Sequence, residues 1–333
     1  MSGKSKNLPR VFVSQPIAPS ALDRLRGIAN VTINKDSSKI LAKPKLIAAV
    51  KKCGILFSLL HDRIDRAVLA ANPKLRAVAS MSITPDNIDI AEATKRGIPV
   101  TVVPPIVAEA TADLNIGLMI AVARRMFEGG RMVRSGKFPG SQSSHLAGSY
   151  VHGKTIGLIG AGRIGQATAR RARGFGMKVL YWSPRRKHEA ERELGMEYVT
   201  IERLLAESDF VSMHPPLNAE TRHYLSDKQF DMMKPTAFVI NTARGAVIDE
   251  KALVRALKRK KIAGAGLDVF EHEPELAAAL KTMKNVVLTP HLGSAVMEVR
   301  DLMANIVVDN IQALIEGRTP PNCVNPQVLK PAG

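Results

Sequence analysis

Short runs of β-branched and aliphatic residues alternate along this chain with stretches whose apolar positions recur at helical spacing. That alternation predicts parallel sheets covered by helices. In the first hundred residues the strand-like runs are Val11–Ser14, Val31–Ile33, Ile55–Leu59, Leu75–Ala79 and Val100–Val103. Helical patterns lie between them, for example Ala18–Ile28 and Ala91–Arg96, and Gly97-Ile98-Pro99 stops the latter before the next strand. From Ala108 to Arg134, Met and Ala on several faces predict one long buried helix, a spine between two domains. A Gly/Ser-rich loop over Gly136–Gly153 follows. Strands are then expected at Thr155–Ile159, Lys178–Trp182, Phe210–Met213, Ala237–Asn241, Ala263–Leu267 and Val286–Thr289, and a final helix from Ser294 to Glu316. That helix is long enough to return to the first domain. The expected fold is α/β with two doubly wound parallel-sheet domains. Residues 1–107 and 294–333 form a discontinuous domain around a continuous one, 108–293.

Composition narrows the class. The chain has 333 residues, more than one core comfortably holds, and 45% hydrophobic with 23% charged residues excludes wholesale disorder. Two cysteines, Cys53 and Cys323, cannot build a disulfide framework and suit a reducing compartment. Met1 to Arg10 is polar and basic, unlike a signal peptide, and the apolar run Leu114–Ala123 is roughly half of what a bilayer needs. A cytoplasmic protein without membrane partners is expected. Forty-eight Lys and Arg against thirty Asp and Glu leave a net charge of +18, which concentrates anions near the surface. The basic clusters are scattered and aromatics are only 4%, so there is little to stack bases on. Small anionic substrates fit this better than nucleic acid.

Gly160-Ala161-Gly162-Arg163-Ile164-Gly165 follows a strand pattern and opens a helical one, Arg163 to Arg173. In that context G-x-G-x-x-G is a dinucleotide fingerprint. The first glycine permits the tight turn, the second lets backbone approach a pyrophosphate, and the third seats the helix on the strand. Helix N-terminal amides then face the phosphate charge. The next strand ends at Ser183-Pro184-Arg185-Arg186, where an NAD-selective site would carry Asp or Glu. Ser183 can bond a phosphate oxygen, and Arg185 with Arg186 can pair its charge, each charge-assisted bond being worth roughly 1.5–3 kcal/mol. NADP(H) is therefore expected as the preferred cofactor, with NAD(H) possible.

Three further segments each follow a strand of the same sheet: Asn241-Thr242-Ala243-Arg244-Gly245, then Gly266-Leu267-Asp268-Val269-Phe270-Glu271-His272-Glu273-Pro274, then Thr289-Pro290-His291-Leu292-Gly293-Ser294. An Arg, a Glu and a His thereby meet at the carboxyl ends of the strands, where ligands of doubly wound sheets bind. For a 2-oxo acid that set suffices. A guanidinium clamps the carboxylate, an imidazolium gives a proton to the carbonyl oxygen, and a carboxylate holds the imidazolium charged. His214, in Met213-His214-Pro215-Pro216, ends another strand and is expected to line the cofactor, while Glu271 and His272 read as solvated neighbours of Glu273.

Together with Glu109-Ala110-Thr111-Ala112-Asp113-Leu114, these segments resemble the D-isomer-specific 2-hydroxyacid dehydrogenases, in motif order from Asp86 to Ser294. Through Ser183–Arg186 the chain is most similar to the NADPH-preferring glyoxylate/hydroxypyruvate reductases. The resemblance implies a flavodoxin-like substrate domain, a Rossmann cofactor domain, a cleft between them, usually a homodimer, and no metal. It places catalysis on Arg244, Glu273 and His291 and the nicotinamide carboxamide on Asp268. It also puts Thr111, Pro215, Thr221, Thr242, Ala243 and Gly293 near the cofactor. The substrate loop departs from the family. Where members carry a glycine before Asp86-Asn87-Ile88-Asp89, this chain has Met81-Ser82-Ile83-Thr84-Pro85. Pro85 has no amide to donate, so substrate contacts are expected from Ile83 and Thr84. Two other readings use the same scaffold: NAD-linked oxidation of another small oxyanion such as formate or phosphite, and a dinucleotide-sensing corepressor-like protein. The intact Arg/Glu/His set, unneeded by a sensor, favours catalysis.

Overall fold

The computed structural model describes residues 8–141 and 143–329. Its contacts divide the chain into two units, one running to Ile106 and resuming at Val296, the other Val107–Ala295.

In the first unit five parallel strands, β1 (Arg10–Val13), β2 (Asn30–Ile33), β3 (Ile55–Ser58), β4 (Ala77–Ser80) and β5 (Val100–Thr101), lie in the order β2-β1-β3-β4-β5. This is the flavodoxin-like doubly wound order. Register sets Phe12 opposite Thr32 on one side and Leu56 on the other. The central strands β3 and β4 are buried throughout, which is why they read as continuous apolar runs rather than as alternations. Local chemistry starts the crossover helices. Asp65 accepts the amides of Ala67 and Val68 ahead of the helix Arg66–Ala70, and Asp89 accepts that of Glu92 ahead of Ile90–Lys95. The last helix, Met297–Ile315, packs beside Pro19–Ile28, where Arg24 donates to Asn305 at 2.8 Å and to Asp309 at 2.6 Å. It begins three residues after the expected Ser294, because Val296 is extended and Ala295 closes a turn onto Leu292.

The second unit carries seven parallel strands: β6 (Thr155–Ile159), β7 (Lys178–Trp182), β8 (Met196–Tyr198), β9 (Phe210–Met213), β10 (Phe238–Asn241), β11 (Gly264–Leu267) and β12 (Val286–Leu288). Their order, β12-β11-β10-β9-β6-β7-β8, is the Rossmann order extended by one strand. The winding reverses at β6 and β9, so their carboxyl ends form the switch point. The sequence pattern did not announce β8; three residues with only Met196 buried are too short to show a period.

The expected single helix over Ala108–Arg134 is two. Ala108–Ala123 is buried on most sides and packs on β10, β11 and the helix after β6. The chain then breaks at Arg125, which has φ +51°, and Met126–Arg134 buries none of its residues. The break has a tertiary cause. The carbonyl of Ala123 accepts the amide of Ser149 at 2.9 Å, a partner 26 positions away that no helical period reveals.

Candidate active site

The turn after β6 holds the three fingerprint glycines for different reasons. Gly160 has φ +98°, and a Cβ there would come within 2.8 Å of the His214 carbonyl carbon. A Cβ on Gly165 would lie 2.4 Å from the Gly160 oxygen, so a side chain there would push the helix off the strand. Gly162 is the opposite case. It caps the helix Arg163–Gly174 in extended conformation, and a Cβ on it would meet nothing within 4 Å. Space therefore stands in front of the first helical amides, those of Arg163, Ile164 and Gly165, which have no partner inside the helix. Ala161 is buried beneath them, and its carbonyl accepts from Gln166 Nε2 at 3.0 Å. A dinucleotide pyrophosphate fits this cradle in shape and charge.

At the end of β7, Ser183 is buried and its hydroxyl donates to the Arg185 carbonyl at 2.6 Å, closing the turn. Arg185 is exposed. Arg186 is committed within the protein, its Nε and Nη2 donating to the two carboxylate oxygens of Glu191 at 2.8 and 2.9 Å.

At the end of β9, His214 sits against the Gly160 turn and shares a 2.9 Å hydrogen bond with Ser212 Oγ through Nε2. Fully buried Asn115 donates to Ser212 Oγ at 2.9 Å and to Thr242 Oγ1 at 3.0 Å. One side chain from the buried helix thus ties strand β9 to the loop after β10. Burial alone pushes the His214 imidazole down to a pKa of about 3, so the ring is neutral. Pro215 lies against Gly160, while Thr221 spends its hydroxyl on its own loop, donating to Pro216 O at 2.6 Å.

The trio stands at the ends of three adjacent strands. After β10, the Asn241 side chain accepts the Ala243 amide and donates to the Arg244 carbonyl, both at 3.0 Å, which shapes the loop presenting Arg244. Arg244 Nη1 donates to the Ala243 carbonyl at 2.8 Å. Gly245 then packs so tightly on the loop after β11 that a Cβ would fall 1.9 Å from the Phe270 carbonyl carbon. In that loop the Phe270 amide donates to Glu273 Oε1 at 3.0 Å, and Glu273 Oε2 accepts from His291 Nδ1 at 2.8 Å. Both side chains of this pair are about four-fifths buried.

His291, with φ +56°, is held from beneath. Its amide donates to the Asp268 carbonyl at 2.9 Å. The Asp268 carboxylate accepts from Thr289 Oγ1, Leu292 N and Gly293 N at 2.6–2.9 Å. Burial raises the Asp268 carboxyl above its ordinary pKa. Thr111 joins the same loop, donating to the Gly293 carbonyl at 3.0 Å.

Glu271 is not the solvated neighbour its sequence suggested. Its side chain is 9% exposed and accepts from His223 Nε2 at 2.6 Å and Arg222 at 3.1 Å. Burial opposes its charge, yet the His223 bond and the Glu250 amide hold its carboxyl below the usual range. Glu250 returns the contact by accepting the amides of Glu271 and Ala277. His272 is exposed, as expected. Sequence reasoning also missed Asn115 and Glu191. A polar residue in an otherwise apolar buried helix was the available signal for Asn115; Glu191, in a run of charges, offered none.

In the other unit, Ile83 and Thr84 follow β4. Thr84 stays out of the left-handed region, its hydroxyl donates to Asp86 at 2.8 Å, and its carbonyl accepts from Ser82 at 2.7 Å.

Residues 116–293 match the model of the D-isomer specific 2-hydroxyacid dehydrogenase, NAD binding domain. The chain is 47% identical over 325 residues to a glyoxylate reductase of Thermococcus litoralis, covering 96% of this chain and 98% of that one. It is 48% identical over 324 residues to a glyoxylate reductase of Korarchaeum cryptofilum, covering 97% of each. Among solved structures it resembles the NADPH-dependent glyoxylate/hydroxypyruvate reductase of Sinorhizobium meliloti in complex with NADP and malonate. The TM-score is 0.82 at 30% identity, over 98% of this chain and 99% of that one.

Proposed function

Because this chain belongs to the D-isomer specific 2-hydroxyacid dehydrogenases, and is with them an NAD(P)-dependent enzyme, we propose that it reduces glyoxylate, hydroxypyruvate or a similar small 2-oxo acid to the 2-hydroxy acid, with NADPH preferred. The observation that carries the proposal is the 2.8 Å contact between His291 Nδ1 and Glu273, one strand away from the loop of Arg244.

A carboxylate only accepts, so Nδ1 carries a proton and Nε2 is the nitrogen left to face a substrate. His291 gives its Nε2 proton to the carbonyl oxygen as that oxygen becomes an alcohol. Glu273 holds the ring in one tautomer and orientation. Arg244 takes the substrate carboxylate in a two-donor fork and stabilises charge on the neighbouring oxygen. The glycine turn at residues 160–165 holds the cofactor pyrophosphate, with Thr111, Pro215, Thr242, Ala243 and Asp268 along the rest of the molecule. Bound there, a reduced nicotinamide supplies the hydride.

Support for NADPH comes from the strand end. Lys178–Trp182 is followed by Ser183 and exposed Arg185, with no acid at the strand end itself to bond ribose hydroxyls. The relative from Sinorhizobium meliloti carries NADP. Support for a homodimer comes from Met126–Arg134 and the segment after it, where Phe138 is 58% and Tyr150 78% exposed. Met126, Phe127 and Val133 are exposed in the same segment, and exposed apolar side chains gathered in this way support an interface. Both cysteines are free thiols, which suits the cytoplasm. Among the described residues no helix is long and apolar enough to cross a membrane.

The test is a panel of 2-oxo acids with NADPH or NADH, read by loss of reduced-nicotinamide absorbance. Turnover of glyoxylate or hydroxypyruvate with a lower KM for NADPH is expected. Absence of turnover with every 2-oxo acid, with formate or phosphite instead reducing NAD+ in the opposite assay, would overturn the activity, and turnover confined to NADH would overturn the cofactor.

A further inference from the structure

Two arginines stand side by side after β7, and the protein has already engaged one of them. Arg186 forms a two-pronged pair with Glu191, on the helix His188–Leu194, through Nε and Nη2. Glu191 is only 16% exposed, and its Oε1 also accepts from the Tyr181 hydroxyl at 2.6 Å. The same hydroxyl accepts the Lys187 amide at 2.7 Å, which fixes the turn between the arginines and the helix. Arg186 lies 5.7 Å from the centre of the Tyr198 ring, so β8 and the helix before it both hold the guanidinium. Arg185, by contrast, makes no side-chain hydrogen bond or ion pair with the described residues.

We propose that Glu191 is a specificity-determining residue that restrains the preference for NADPH over NADH. The proposal rests on the reading that Ser183 and Arg185 face the adenosine ribose. A fork already filled by a carboxylate leaves Arg186 only its outer edge for a second anion, and the Glu191 charge opposes a phosphate placed there. A ribose without a phosphate carries no charge, so binding of NADH is indifferent to this pair. Contact with Arg186, then with Tyr181, brings the Glu191 carboxyl down to about 2, so the restraint persists across the working pH range.

Steady-state kinetics of the full-length enzyme, varying NADPH and NADH separately, test this. In Glu191→Gln, whose amide still accepts from Tyr181, KM for NADPH should fall about three- to fivefold, the scale of one exposed charge contact. KM for NADH should stay within about twofold, inside that same scale. Glu191→Met, neutral and of similar volume, must move NADPH in the same direction, so a misfolded glutamine variant does not end the test. In an Arg186→Ala background the gain from Glu191→Gln should shrink, because no guanidinium is released. An unchanged ratio of the two KM values, or an equal change in both, overturns the role of Glu191. Arg185→Ala separates the two readings. If it leaves cofactor preference untouched, the NADPH reading itself falls. If it lowers that preference while the Glu191 variants do nothing, only the restraint falls.

Discussion

Asp268 holds Leu292 in place: its carboxylate accepts the Leu292 amide at 2.7 Å, and the amide of Gly293 at 2.9 Å beside it. The loop bearing His291 is thus built on a buried acid in the neighbouring strand's loop. Asp268→Asn puts an amide group against the three donors that converge there. At least one buried donor loses its partner, which costs about 1–3 kcal/mol. The melting temperature should fall and kcat should drop with it. An unaltered melting temperature would show that the loop does not depend on this carboxylate.

Arg244 is expected to act through its planar fork. Arg244→Lys keeps the charge and loses the planar two-nitrogen fork, so kcat/KM for the 2-oxo acid should fall about 100-fold, near 2–3 kcal/mol. His291→Asn, which removes the proton donor, should lower kcat by about 10² to 10⁴. Cofactor affinity, measured by fluorescence titration with NADPH, should change little in either variant. A variant that binds NADPH poorly and turns over normally once saturated would place its side chain on the cofactor instead.

The loops of Arg244 and Glu273 meet at Gly245, where an added Cβ would fall 1.9 Å from the Phe270 carbonyl carbon. Only backbone movement relieves that, and it carries the amide that donates to Glu273. Gly245→Ala should therefore destabilise the protein by more than about 2 kcal/mol and depress kcat. Glu250→Ala, which strands the Glu271 and Ala277 amides, loosens the same loop from its other side at a cost of about 1–3 kcal/mol. Urea unfolding midpoints and kcat give both readings.

His214 ties stability to acid. Its folded-state pKa, about 3, lies below the ordinary 6.5. Between these values the unfolded chain binds a proton that the folded chain does not, so stability rises with pH across that window. The contribution is fully present above about pH 6.5 and is lost as pH falls toward 3. His214→Gln lacks the proton site. Its unfolding free energy should lose less than the wild type's between about pH 7 and about pH 4.5. Parallel losses in the two proteins would contradict the buried neutral ring.

Much of this protein is local in origin and therefore legible in the chain. Strand runs such as Thr155–Ile159 and Phe210–Met213 report burial on both faces. The Gly160–Gly165 turn reports its own backbone requirements, and Arg244, Glu273 and His291 each follow a strand in parallel order, which puts their loops on one edge of the sheet. What the sequence could not decide is which groups meet across that edge. The helix break at Arg125 depends on Ser149 reaching the Ala123 carbonyl. Glu271 changes from a solvated residue to a braced one because His223 arrives from another loop and Glu250 from the start of the helix Glu250–Lys258. Arg186 is paired with a glutamate five positions along, which also accepts from Tyr181 inside the sheet. Periodicity and turn chemistry act over a few residues, so sequence alone determines most of the elements, though not β8 or the helix break at Arg125, and the edge they share. Hydrogen bonds and ion pairs depend on distance in space, so only the folded chain selects their partners.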